Sequence, residues 1–158
     1  MSFFRAFFFR VFIVSILLTG VGIVPAPVAA QTVSATGQAE MAGPWHGRWT
    51  APEGWIYEAV ISLRVNETGA TSGEINWTLR KTPRPAEQGK VGMTGVESVR
   101  GNYYANTGAL ILEGYEKNDP NGILGLDKYR LIVSENHRTM AGVTRHHNAW
   151  NSQFFLSK

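Results

Sequence analysis

Cysteine is absent from this 158-residue chain, so it has no disulfide framework, no thiolate nucleophile and no cysteine metal ligand. Neither G-x-S-x-G nor H-E-x-x-H occurs, which leaves the common serine-hydrolase and zinc-protease arrangements without their central motifs. Excess charge is scarce as well. The chain has 15 Lys+Arg against 12 Asp+Glu, and two of those arginines, Arg5 and Arg10, precede the one long apolar run, Val11–Val24. Without them the surplus is a single positive charge, which gives no support for a nucleic-acid partner or an anionic membrane surface.

That apolar run reads as an export signal. Arg5 and Arg10 form its positive end, VFIVSILLTGVGIV its hydrophobic stretch, and PAPVAA a small-residue ending, with Val28 and Ala30 at the −3 and −1 positions of a cut before Gln31. The alternative is a retained membrane anchor, since Val11 to Ala30 has about the 20 residues a span needs. Pro25, Pro27 and the small-residue ending favour removal. The expected protein is therefore secreted or periplasmic, with no stable membrane association after cleavage. Lacking disulfides, it relies on packing and hydrogen bonds, and its length suits one domain.

Residues 31–43 (QTVSATGQAEMAG) are small and polar without sustained period, a flexible lead-in. Strand patterns fill the rest, 44–158. In WIYEAVISLRV, Trp55, Tyr57, Ala59, Ile61, Leu63 and Val65 share one parity, with Glu58, Ser62 and Arg64 on the other. GEINWTLR, Gly73–Arg80, repeats the alternation with Ile75, Trp77 and Leu79. A turn centred near Gly69 sets Leu63 against Ile75 and Ile61 against Trp77, and on the outer face Arg64 against Glu74 and Glu58 against Arg80. A second hairpin about Ala105–Gly108 sets Val99, Gly101 and Tyr103 against Gly114, Leu112 and Leu110, with Arg100 facing Glu113. A third sets Val133, Leu131 and Tyr129 against Met140, Gly142 and Thr144, and leaves Lys128 opposite Arg145.

With Trp45–Thr50 in front and Ser152–Ser157 behind, the count is eight strands in an all-β antiparallel up-and-down meander. A closed barrel is favoured over a two-sheet sandwich, because sequential hairpins with one apolar face close naturally and closure removes exposed edges. The motif Trp45–Trp49 (WHGRW), on the first strand of such a meander, resembles the G-x-W signature of the calycin-type barrels, the lipocalin and avidin-like families. That resemblance implies a carrier of one small ligand. It also implies that Trp49 plugs the closed end of the barrel, beneath an arginine for which Arg145 is the candidate.

Three of the five tryptophans fall within PWHGRWTAPEGW, Pro44–Trp55; Trp45 and Trp55 flank the first turn, which places one or both at a rim. Trp77, Tyr103 and Tyr129 share the inner parity and are the candidate ligand-binding set. Inward tyrosines need a hydrogen-bond partner, which a bound molecule or water supplies. Asp127 and His146 fall opposite one another at one end of the third hairpin, a carboxylate–imidazole pair suited to ligand contact or general-base work. No catalytic or metal-binding residues are assigned: His146 and His147 are adjacent on a strand and face opposite ways, and His46 and His137 are distant in sequence. No cofactor is expected. The longest loop, Lys81–Gly95, is basic through Lys81, Arg84 and Lys90 and stiffened by Pro83 and Pro85; it suits a lid or a partner contact.

Three functions follow in order: an exported protein binding a small apolar or aromatic molecule in an aromatic-lined cavity; a protein-interaction or inhibitor module using the basic loop and tryptophan rim; and an enzyme built on Asp127 and His146.

Overall fold

The computed structural model describes residues 32–146 and 148–158; the signal sequence read from residues 1–30 lies outside them. Eight strands run in chain order: β1 Gly43–Thr50, β2 Ile56–Val65, β3 Ala70–Lys81, β4 Thr94–Tyr104, β5 Ala109–Asn118, β6 Lys128–Val133, β7 Thr139–His146 and β8 Ala149–Ser157. Each pairs antiparallel with the next, and β1 returns to β8 through His46↔Ser157 to Thr50↔Gln153, closing the barrel. This architecture is compatible with a calycin-like fold.

Parity decides what lies inside. Along β2, Tyr57, Ala59, Ile61, Leu63 and Val65 are all buried while Ser62 and Arg64 are exposed, and closure gives every strand one such inner row. The second and third hairpins have the registers expected, with Val99↔Gly114, Tyr103↔Leu110 and Arg100↔Glu113 in one and Tyr129↔Thr144 and Val133↔Met140 in the other. The Lys128–Arg145 opposition is present; Lys128 reaches across to Glu113 at 3.8 Å and Arg145 donates to Asn148 Oδ1 at 3.0 Å. At Gly101, an added Cβ would stand 1.9 Å from the Ile111 carbonyl oxygen, so a residue without a side chain is required where these strands curl together.

The first hairpin is displaced from the expected register. Ile61 faces Ile75 and Leu63 faces Gly73, two residues from the pairing centred at Gly69. The cause lies in the turn. Asn66 Oδ1 accepts the Thr68 N–H at 3.0 Å and the Ala70 N–H at 2.9 Å, and Asn66 N–H bonds the Ala70 carbonyl, so the connection centres on Thr68. A two-residue shift preserves parity, and the same side chains still face inward. Glu58 and Arg80 meet diagonally at 2.6 Å, whereas Arg64 lies opposite Ser72.

The lead-in also differs from expectation: Ala35–Met41 is a helix, α1, capped by Ser34, whose Oγ accepts the Gly37 N–H at 3.1 Å. Its sequence is too short and polar to show a helical period, yet it buries Val33 and Met41 against the barrel end. Trp45 is fully buried beneath it and donates its indole N–H to the Met41 carbonyl at 3.0 Å, with Lys158 Nζ over its ring at 4.5 Å. His137 sits 2.9 Å from Glu40 and 3.1 Å from the Tyr103 hydroxyl at this same end. Trp45 therefore closes the barrel, and Trp49, two alternations further along β1, serves the opposite end.

Candidate functional site

At the end away from α1 the barrel interior is hollow. A cavity of about 220 Å³ opens there among Trp49, Trp55, Tyr57, Trp77, Glu97 and Tyr129. Two loops overhang it, residues 82–93 between β3 and β4 and residues 119–127 between β5 and β6. Four strands supply its rings, Trp49 from β1, Tyr57 from β2, Trp77 from β3 and Tyr129 from β6. Trp77 stacks on Phe154 with centroids 5.3 Å apart, and Tyr57 stands edge-on to Trp49 and Trp77 at 5.6 and 5.9 Å. Trp49 donates its indole N–H to Thr144 Oγ1 at 2.6 Å.

Glu97 forms the polar floor. It lies on the inner parity of β4 with 2% of its surface exposed. Its Oε2 accepts the Tyr129 hydroxyl at 2.6 Å and the Trp77 indole N–H at 3.0 Å, and its Oε1 accepts the Asp127 N–H at 3.2 Å. Space for the carboxylate comes from Gly114, where a Cβ would fall 1.8 Å from Glu97 Oε1. Burial pushes the Glu97 carboxyl up to about 7, against the three hydrogen bonds that favour its charged form and with a smaller upward push from Asp127. The Tyr129 phenol is pushed well up, first by burial and then by Glu97, and Tyr57 is raised chiefly by burial. Both remain neutral donors at physiological pH.

The loops are fastened to this frame. Tyr57 donates to the Ile123 carbonyl at 2.5 Å. Asp119 accepts the Ile123 and Leu124 N–H groups at 2.9 and 2.7 Å, which makes the segment after Lys117 a side-chain-capped turn. The β3–β4 loop carries a 3-10 helix, Pro85–Lys90; Lys90 Nζ bonds the Gly122 carbonyl at 3.0 Å and ties the two loops together. Arg84 pairs with Glu87 at 3.2 Å and lies 5.4 Å from the centre of the Trp55 ring.

The structure gathers Trp77, Tyr129 and Asp127 at the cavity, as the sequence placed them, and adds Arg84 and Lys90 to its rim. Lys81 is exposed at the end of β3 and does not line it. Two assignments change. Tyr103 belongs to the α1 end, because it lies three inner positions along β4 from Glu97 and its hydroxyl meets His137 there. Trp49 lines the cavity instead of plugging a closed end, since the closed end is the one α1 covers. Arg145 follows Thr144 onto the outer face and bonds Asn148; Thr144 is the residue that receives the Trp49 indole. The expected pairing of Asp127 with His146 rests on the His146 side chain, which lies outside what the structure describes.

Sequence reasoning missed Glu97. Its signal was present, since Glu97, Val99, Gly101 and Tyr103 have one parity; the charge at Glu97 made the row look as though it stopped at Val99. The chain matches no protein-family model and no curated protein.

Proposed function

We propose that this protein binds one small, partly apolar molecule in the cavity at the open end of its barrel, and does so after export. The observation that carries the reading is a hollow at one end of the barrel, walled by aromatic rings and floored by the buried Glu97 carboxylate. Binding sites are typically apolar concavities with a few placed polar groups, and an eight-stranded barrel is just wide enough for one small ligand. The volume of about 220 Å³ falls below the roughly 300–1,000 Å³ of sites for drug-sized molecules, which favours a smaller one.

The engagement of Arg84 and Lys90 at the mouth supports this reading over a protein-contact role for the basic loop. A lipocalin-like or avidin-like carrier is the finer form of the proposal, supported by the closed eight-stranded barrel; the place of Trp49 at the open end departs from it.

Native mass spectrometry of protein recovered from its own export compartment tests the reading. A defined excess mass that vanishes on denaturation is expected. A bare native mass, together with no change in tryptophan fluorescence across a panel of small aromatic and alkyl molecules, would overturn it.

A further inference from the structure

We infer that the molecule held in the cavity is an organic cation, its ammonium group against the Glu97 carboxylate and its aromatic or alkyl body between Trp49, Tyr57 and Trp77. This rests on the cavity being a binding site.

The cavity floor carries an imbalance of charge. Glu97 is a buried acid whose three hydrogen-bond donors, an indole, a phenol and a backbone amide, are all neutral. Among the described residues it has no lysine, arginine or histidine within ion-pairing distance. Buried charges ordinarily have a partner. A carboxylate offers about four acceptor positions, and three are used, leaving one toward the cavity that Glu97 lines. The 2.6 Å bond from Tyr129 has the shortness expected when the acceptor is charged.

The surroundings favour a cation over the alternatives. Tryptophan and tyrosine faces attract ammonium groups, tryptophan most strongly, and the cavity has three tryptophans and two tyrosines in its wall. Asp127 places a second carboxylate on the lining. The basic groups at the rim are engaged, Arg84 by Glu87 and Lys90 by the Gly122 carbonyl. An anionic ligand would lie against the buried Glu97 carboxylate at the bottom of an apolar well.

Three probes of one shape separate the chemistries: phenethylammonium, phenethyl alcohol and phenylacetate, titrated calorimetrically against the intact exported protein. At about pH 8, above the Glu97 value of about 7, phenethylammonium is expected to bind at least about tenfold more tightly than the alcohol, as a desolvated cation–π and charge contact warrants, with phenylacetate weakest. Glu97→Gln should abolish the preference for the cation while retaining the alcohol.

A wild-type titration provides the second readout if that variant does not fold. Tyr129 from β6 and Asp127 from the segment before β6 act directly on Glu97, and Tyr57 from β2 and Glu87, Arg84 and Lys90 from the β3–β4 loop line the same cavity. The alcohol, measured at each pH, subtracts their effects. Affinity for phenethylammonium should fall about tenfold per pH unit below about 7, because protonation removes the charge, while the alcohol is unaffected. Equal binding of cation and alcohol at all pH values would overturn the cation and leave the binding site standing; binding by none of the three, with a bare native mass, overturns both.

Discussion

Glu97 is an acid in a place where burial opposes its charge, so its protonation is coupled to folding. Its carboxyl rises from an ordinary 4.5 to about 7 in the folded protein. Between those values the folded state holds a proton that the unfolded chain has released, and stability falls as pH rises through that window. The contribution is complete below about pH 4.5 and lost above about 7, an amount of about 3 kcal/mol from the size of the shift. Urea unfolding across this range should show the decline in the wild type and a flatter profile in Glu97→Gln. Identical slopes in the two proteins would show that the carboxyl is not perturbed as described. Gly114 belongs to the same small unit: its missing side chain is the space the carboxylate occupies.

The loops and α1 show how elements divide the labour between the barrel's two ends. The mouth is held by side chains reaching from strand or loop to loop backbone, Tyr57 to Ile123 and Lys90 to Gly122. The closed end is held by burial of Met41 and Val33 and by the Trp45–Met41 bond. Met41→Ala leaves a void beside Trp45 and should cost about 2–5 kcal/mol of stability, measured by denaturant unfolding. Ligand affinity should stay within about twofold of wild type, since separated sites act almost independently; a large loss of affinity would mean that the two ends are coupled. Elements with long alternating patterns were readable in advance, including all eight strands and two of three hairpin registers. The first register was not, because it depends on which atoms of Asn66 the turn engages. Nor was α1, whose seven residues acquire their helix from the surface they cover, not from a period of their own.

For the whole molecule, closure through β1 and β8 is the decisive feature. Every inner row then faces one interior, so a filler at one end and a cavity at the other are set by which residues reach each level. Among the described residues, the same closure leaves no edge strand free to pair with another chain. Export remains our proposal for the chain as a whole, and the denatured mass provides its test: a mature protein beginning at Gln31 is expected. A full-length mass would favour the retained anchor.

Alternation along the chain by itself determined the class, the strand count, the antiparallel order and most of the side chains that face inward, because a period of two is a local property that survives even a two-residue slip. It also set Trp77, Tyr129 and Asp127 on the inner face, where they line the cavity. Only the tertiary structure decided which end is open. Trp45 and Trp49 have the same parity and the same chemistry, and Tyr103 and Tyr129 likewise; they are distinguished only by height along the barrel axis, which depends on strand stagger and on where α1 docks. The role of Glu97 was decided in the same way. A glutamate on an inner row reads as a misplaced surface residue until Trp77, Tyr129 and the Asp127 backbone converge on it from three separate stretches of chain.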